Sequence, residues 1–476
     1  MLIPLIVACA LFMENLDSSV VSTSLPAIAH DLAVDPIALK LAFTSYLISI
    51  AVFTPVSGWF ADRFGARTVF RTAIVVFVGG SILCGLSSTL EGFVAARVVQ
   101  GAGGAMMVPV GRLVLLRTVP KADYVRALSW LTVPALIGPV MGPPVGGFIT
   151  TYFDWRWIFW INVPIGIVGI ALVQAYIANI REPEPRRLDV AGFLLSGIGL
   201  GGFVFGVAAS GIGLLPAPVI AAMVTVGAVA LAGYVVHARR AADPLIDLRL
   251  FRIGTYRTSV VGGLFFRVGV GAIPFLLPLM LQVGFGLTAF QSGMLTFAAA
   301  AGAITMKFTA PWILRRFGFR TVLVVNTVTA TVFLVASALF TAATPSAVIF
   351  AVLLVGGFFR SLQFTALNAL GFADVDRPRM SQATSLSSVT QQLSVSLGVA
   401  VAAGALEWTR SMRADHALIA ADFGPAFLIV GAISLISLVF FVRLPPGAGA
   451  EVSGHRARPV PVAAELQDPS RVEGSM

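Results

Sequence analysis

Long apolar runs separated by short polar breaks dominate the chain. Read in windows of about 20 residues, the length that spans the hydrocarbon core of a bilayer, the pattern predicts fourteen membrane-crossing helices. They lie near residues 3–26, 41–61, 69–90, 92–116, 127–150, 155–178, 190–210, 216–237, 258–281, 289–313, 320–342, 347–372, 380–405 and 423–443. Glycine within the runs does not argue against helices, because membrane helices carry more of it than soluble ones. The longest polar break covers 238–257, and a second covers 180–189. Between them no charge occurs from Val190 to Val236, and this stretch holds the seventh and eighth predicted spans. Gly197-Ile198-Gly199-Leu200-Gly201-Gly202 formally fits a dinucleotide fingerprint. That motif needs a preceding strand and an accessible helix start, so here, in mid-span, it predicts helix packing.

One polar phrase occurs twice. Arg63-Phe64-Gly65-Ala66-Arg67-Thr68 returns as Arg316-Phe317-Gly318-Phe319-Arg320-Thr321, with Trp59 and Trp312 four residues ahead of the respective arginines. The copies are 253 residues apart, room for about eight crossings at roughly 30 residues each. Duplicated halves of this kind are how many secondary transporters are built. The spans between residues 181 and 240 then read as two additional helices between an N-terminal six-helix bundle (1–180) and a C-terminal one (241–445). A tail at 446–476, rich in Pro, Gly, Arg and Glu, is expected to be disordered.

Composition changes the picture in one direction only. The chain is 57% hydrophobic and 11% charged, against about 25% charged residues in soluble domains. Of 32 Lys and Arg residues, 23 fall in the polar segments on one side of the predicted spans, among them Arg63, Arg67, Arg316 and Arg320. Four (Lys40, Arg156, Arg410 and Arg413) fall on the other, and five lie within spans. The positive-inside rule makes the basic side cytoplasmic, with both termini expected on the cytoplasmic side of a bacterial-type inner membrane. The net charge of +10 is thus a topology signal, and no soluble basic face exists for nucleic acid. Cys9 and Cys84 fall within spans, so no disulfide framework is expected. No basic segment precedes the apolar stretch around Cys9, which continues into a full span, so neither a cleaved leader nor an acylated Cys9 is expected. The four histidines lie outside the spans without metal-ligand spacing. Neither a nucleophile elbow nor a P-loop is present, which argues against an enzyme and against ATP-driven transport by this chain alone.

Ionisable residues inside spans are costly and therefore functional candidates. Glu14 and Asp17 are three residues apart on one face of the first span. A buried carboxylate that gains and loses a proton as a cavity opens to each side in turn is what proton coupling requires; a permanent structural pairing is the alternative. Arg97, early in the fourth span, falls at the depth of Asp17, and a pair between them would be switched by protonation of the acid. Arg112 lies about 22 Å further along the same helix, where closing a gate with Asp62 and contacting substrate are both open. In the fifth span Gly138, Gly142 and Gly146 recur every fourth residue, with Pro139, Pro143 and Gly147 beside them. They form a smooth stripe for close helix approach. Arg267 and Arg360 are cations at depth, and no second-half span carries an acid before Glu407. They have three open roles: meeting Glu14 and Asp17 across a cavity, attracting an anion, or bonding to carbonyls. Asn162, Gln363 and Gln391 are candidates to line a polar pathway, and equally to satisfy a neighbouring helix.

These residues resemble the major facilitator superfamily, in its fourteen-span drug:proton antiporter family of the EmrB/QacA type, over essentially residues 1–445. Gly58-Trp59-Phe60-Ala61-Asp62-Arg63-Phe64-Gly65-Ala66-Arg67 is similar to the superfamily's cytoplasmic gating loop. The stretch from Leu16 to Pro26 resembles the first-span signature, whose acid corresponds to Asp17, and the Arg97 segment resembles a proton-transfer motif. The Gly138–Gly147 run resembles the antiporter motif. Ser19 and Ser22 stand where that first-span signature commonly has Thr and Asn, Glu14 is not general to the family, and Arg315 stands where the first loop copy has Asp62. Gly101–Arg112 and the arginine of the ninth span look like the MdtD branch, whose relatives have been linked to export of citrate-type anions. The resemblance implies an all-α major facilitator fold of two pseudo-symmetric six-helix bundles plus two central helices. It also implies a monomeric, cofactor-free antiporter driven by the proton gradient. Multidrug efflux of small amphipathic compounds is the leading expectation, and export of an anionic metabolite such as citrate or a metal–citrate complex is the alternative.

Overall fold

The computed structural model describes residues 2–118, 124–182, 187–211, 214–376, 379–413 and 417–455. Every regular element among them is helical. In chain order the long helices are α1 (Leu2–Asp31), α2 (Lys40–Phe53, continued by Ser57–Phe64), α3 (Ala66–Leu86), α4 (Leu90–Thr118), α5 (Tyr124–Tyr152) and α6 (Asn162–Tyr176). Then come α7 (Val190–Ala209), α8 (Ala217–Arg240), α9 (Gly254–Gly284), α10 (289–317), α11 (319–336), α12 (Ser346–Ala373), α13 (Met380–Ser411) and α14 (Phe423–Ile436). Among the described residues, twelve segments are long and apolar enough to cross a membrane, one of them Ala289–Leu339 with 51 residues. At 1.5 Å per residue that segment would be about 77 Å long, and it breaks in the middle at Gly318, whose φ is 72°. Most helices run a few residues past the predicted bounds, whereas α3, α6, α11 and α14 stop short of them at the C-terminal end.

Both copies of the repeated loop reach the same geometry. Gly65 has φ 94° and Gly318 φ 72°, a region closed to most side chains and open to glycine, so each reverses the chain between two helices. The tryptophan ahead of each loop meets the phenylalanine five residues on in an edge contact, Trp59–Phe64 at 6.1 Å and Trp312–Phe317 at 6.3 Å. The segment that follows α6 closes the first loop: Asn179 Oδ1 accepts from Thr68 N at 3.2 Å, and Ile180 O accepts from Ala66 N at 3.1 Å. Residues 446–455, read from sequence as the start of a disordered tail, form a one-turn helix at Ala450–Ser453 and set His455 against Gly318.

α1 packs on α5, α3 on α4 and α6, and α2 on α4; α10–α11 pack on α12, and α9 on α13 and α14. The two sets meet along α5–α10 and α2–α13. The helices α7 and α8 pack chiefly on each other, with α7 also against α2. The glycines that mimic a dinucleotide fingerprint serve this packing: an added methyl at Gly199 would press on Leu231, and one at Gly202 on the Met223 carbonyl.

Asp189 anchors the pair from outside the spans. Its carboxylate accepts from Gly192 N at 2.8 Å, Leu245 N at 3.0 Å and His237 Nε2 at 2.7 Å. Burial opposes the charged form, but these hydrogen bonds outweigh it and hold the carboxyl below its ordinary range. Asp189→Ala should cost about 1–2 kcal/mol as a lost helix cap, read as a lower melting temperature. Because the folded pKa is depressed, the stabilisation is complete above the unfolded value and fades as pH falls through the folded one. The melting temperatures of variant and wild type should therefore converge on acidification.

Candidate functional site

The polar face of α1 turns into the first half and meets Arg97 there. Asp17 is 2% exposed and Arg97 0%, and Arg97 Nη1 donates to Asp17 Oδ2 at 2.8 Å. The other carboxylate oxygen accepts from Gln100 Nε2 and Asn162 Nδ2, each at 2.9 Å. Ser81 Oγ joins the same two amides at 2.7 and 3.1 Å. Gln100 is one turn from Arg97 on α4, and its Oε1 also accepts from Nη1. Tyr46 of α2 places its ring 4.0 Å beneath the guanidinium, a cation–π contact in a dry site. The cluster therefore gathers α1, α2, α3, α4 and α6 around one carboxylate.

That carboxylate is held by three donors, of which one is charged. Its neighbourhood also contains buried polar atoms without hydrogen-bond partners: Arg97 Nε and Nη2, Tyr46 OH, Asn162 Oδ1 and Glu14 Oε2. Protonating Asp17 would remove the charge that holds Nη1 and free the guanidinium to seek other acceptors.

Beside the cluster a cavity of about 470 Å³ lies between the two halves. From α1 it is lined by Ser18, Ser19 and Ser22, from α5 by Pro139 and Pro143, and from α9 by Ile273, Pro274, Leu277 and Pro278. Thr296, Arg360, Ser361 and Phe364 complete much of the opposite wall. Arg360 is the only ionisable residue among the described lining residues. α9 is wide-wound at Thr258–Gly262 and Met280–Gly284, and with Pro274 and Pro278 between these turns its lining surface is irregular.

The glycine stripe of α5 faces α1. A methyl at Gly138 would lie 2.9 Å from Asn15 Cβ, and methyls at Gly142 and Gly146 would overlap Ser19 and Thr23. Gly147 instead faces the Ala289–Phe290 backbone of α10. Pro139 and Pro143 turn to the cavity, so one motif both packs α1 and shapes the cavity wall.

Other candidates land elsewhere. Asn162, read from sequence as a pathway residue, is 1% exposed and belongs to the Asp17 cluster. Gln363 is 0% exposed and ties Asn326 Nδ2 (2.8 Å) to Thr327 Oγ1 (2.7 Å), a bridge between α11 and α12 away from the cavity. Gln391 is exposed and lies outside the lining. Arg267 is buried, shares a long 3.4 Å contact with Asn368 Oδ1 and lies 5.9 Å from the Phe364 ring. Neither Arg267 nor Arg360 meets Glu14 or Asp17, because Asp17 is already enclosed by first-half donors. In the loop end of the first half, Gly58, Arg63 and Arg112 are exposed and Arg67 is half-buried. Among the described residues no ion pair joins Arg112 to Asp62, whose carbonyl accepts from Glu182 N at 3.2 Å. The hydrogen bonds and ion pairs that join the halves among the described residues lie at the opposite end: Lys40–Glu407 at 2.9 Å, Arg410–Asp35, Gln282 Nε2 to Thr23 O at 2.9 Å, and Phe290 N to Thr151 Oγ1 at 2.9 Å. Tyr46, Ser81 and Gln100 were missed by sequence reasoning; only the i, i+3 spacing of Gln100 from Arg97 marked one of them.

Comparison with known proteins agrees with this architecture. The family profile of the Major Facilitator Superfamily matches residues 7–399 and, in a second match, 260–472. A protein of Serratia proteamaculans is 41% identical over 398 residues, covering 83% of each chain. One of Klebsiella pneumoniae is 38% identical over 451 residues, covering 94% of this chain and 95% of its own. Both are named as putative multidrug resistance proteins MdtD. Among solved structures, a point mutant of the nucleoside transporter NupG superposes with a TM-score of 0.66 at 13% identity over 93% of this chain and 99% of its own. A D-xylose–proton symporter gives 0.66 at 17% identity over 94% and 98%. At those identities the likeness speaks to fold, whereas the profile and the sequence relatives speak to descent. The chain is a multi-pass membrane transporter of the major facilitator superfamily, on the branch that holds the MdtD proteins.

Proposed function

We propose that the chain is a proton-coupled antiporter that exports small amphipathic compounds from the cytoplasm. The observation that carries this reading is the buried Asp17–Arg97 pair, one residue along α1 from Ser18 in the cavity wall. A proton on Asp17 weakens a charge-assisted bond inside the bundle, and the helix that bears it also forms the substrate surface. Occupancy of the cavity and protonation of the acid thus act on the same rigid element, as coupling between two ligands requires. The relatives' names and the apolar walls support a drug-like substrate.

The membrane arrangement completes the proposal. The 51-residue segment counts as two crossings, and α5, with 29 residues, adds one to the other eleven. That gives the fourteen spans of the EmrB/QacA type, with six in each half and α7–α8 between. The basic loops face the cytoplasm of a bacterial inner membrane, so the tied end is the outer one. No cofactor enters the scheme; the proton gradient is the energy source, and a monomer suffices.

A second reading concerns substrate charge. Arg360 faces a cavity with serine and threonine hydroxyls and, among its described lining residues, no carboxylate. A cation in such a wall attracts an anionic group, and neutral or cationic drugs gain nothing from it. The test is transport into proteoliposomes under an imposed pH gradient, comparing citrate with a cationic dye in wild type and Arg360→Gln. An anion exporter moves citrate and loses it in Arg360→Gln. A cation exporter moves the dye in both proteins, with equal or greater rate in the variant. If neither moves in wild type while either moves without a pH gradient, proton-coupled export is wrong.

A further inference from the structure

The two loop copies are closed differently, and the difference leaves a binding site in the second. In the first, Asn179 fills the angle against Gly65, and its side-chain oxygen accepts from Thr68 N. The counterpart of Gly65 is Gly318, and there His455 occupies the angle. Its Nδ1 lies 2.9 Å from Arg315 O; a carbonyl only accepts, so this nitrogen donates. The counterpart of Thr68 is Thr321, and next to it the protein leaves a recess of about 420 Å³. Where the first copy supplies an oxygen acceptor, the second presents two donors, the Arg320 guanidinium and the Thr321 hydroxyl, with the His455 ring beside them.

The rest of the recess is apolar and faces outward. Val324, Val325 and Val442 line it, with Phe317 at the rim; Val325 is 58% exposed and Val442 50%. Arg320 is half-buried, and Arg315, Arg316 and Arg443 nearby in sequence are exposed. The site therefore joins a positive, hydrogen-bonding floor at the level of the basic loops to a wall of valines on the lipid-facing surface. A soluble anion uses the first and not the second. An acyl chain uses the second and not the first. A molecule with both parts in that order is a phospholipid.

We propose that this recess binds the phosphate of an anionic phospholipid, held by Arg320 and Thr321, with Pro446 and His455 as one wall of the site. The bound phosphate oxygen plays the part that Asn179 Oδ1 plays in the first copy, so the lipid completes the second loop. This inference stands on the leaflet beside the basic loops and not on what the protein transports.

Native mass spectrometry of the detergent-purified full chain tests it, with phosphatidylglycerol, phosphatidylcholine and inorganic phosphate as probes. Wild type should retain phosphatidylglycerol over phosphatidylcholine. Arg320→Gln should lower that preference about five-fold, the effect of roughly 1 kcal/mol per basic residue at an anionic surface, and Arg320→Lys should keep most of it. A chain stopped after Pro445 removes the His455 wall without touching a span and should lose the preference as well, which guards against a folding defect in the point variant. Inorganic phosphate at millimolar concentration should not compete; if it displaces the lipid, the site is one for soluble phosphate and the lipid assignment fails. Preference unchanged in both Arg320→Gln and the shortened chain, or lost only when Arg315 and Arg316 are neutralised, would show diffuse attraction to a basic surface and overturn the proposal.

Discussion

Asp17→Asn should reduce pH-gradient-driven export in proteoliposomes to the background of empty vesicles. The wild-type carboxylate takes one charged donor and two amide donors. Asparagine offers a single acceptor oxygen and turns an amide NH2 toward groups that are themselves donors. It cannot alternate between charged and neutral forms, so the guanidinium of Arg97 has nothing to be released from or recaptured by. The substitution also leaves a fully buried cation without its counter-charge, a loss of about 3–5 kcal/mol for one-sided removal of a buried pair, and lower thermal stability should accompany the lost transport. The double variant Asp17→Asn/Arg97→Gln separates the two effects. Removing both charges should recover part of the stability, with a coupling of roughly 0.5–3 kcal/mol between neighbouring sites, while transport stays at background. Gradient-driven export at the wild-type rate in Asp17→Asn would remove Asp17 from the coupling path.

How much of this was legible in the sequence depends on whether a signal was local. The repeated loop could be read because its chemistry is confined to a few residues: glycine at a positive-φ turn, with tryptophan and phenylalanine at a fixed spacing, gives the same bend in both copies. The Asp17–Arg97 pair could be read because charge is rare inside a span and depth follows from helical rise. For Asn162 and Gln363 the sequence left a polar pathway and a neighbouring helix equally open, for the opposite reason. An uncharged amide in a membrane helix has the same appearance whether it faces a cavity or a neighbouring helix, and only packing decides. Tyr46 and Ser81 were invisible because a hydroxyl alone marks nothing. Arg267 and Arg360 looked equivalent, yet α9 turns one into the protein while α12 turns the other to the cavity. The C-terminal segment was legible only as composition, since its order comes from seating Gly449 on Phe319 and His455 on Gly318, contacts made with residues more than a hundred positions away.

The other large effect concerns Lys40, read from sequence on the side away from the basic loops, and Glu407, the first acid of the second-half spans. Lys40 is 1% exposed. Its ammonium donates to Glu407 Oε1 at 2.9 Å and to Ser210 O at 3.1 Å. One lysine thus binds the first half, the second half and the α7–α8 pair together at the end remote from the basic loops. Gly211, with φ 83°, brings the chain so close to Glu407 that a methyl there would collide with the carboxylate. The pair is satisfied only while that end is closed; opening it returns both charges to water. Lys40→Gln or Glu407→Gln removes an interaction that exists in one state alone, so it should shift the equilibrium toward opening at that end. One-sided loss of a buried hydrogen-bonded charge pair costs about 2–5 kcal/mol. Since the Glu407 side chain keeps 20% exposure, the lower limit applies, about 2 kcal/mol or roughly a 30-fold change in the ratio of states. Spin labels at Tyr152 and Met412, both exposed at that end, with Cys9 and Cys84 replaced, would report it as growth of a longer distance in either single variant. The charge swap Lys40→Glu/Glu407→Lys should restore the short distance in part. An unchanged distance distribution in both single variants would mean that apolar packing between α5 and α10 holds that end shut by itself, and that the ion pair sets only the register of the two halves.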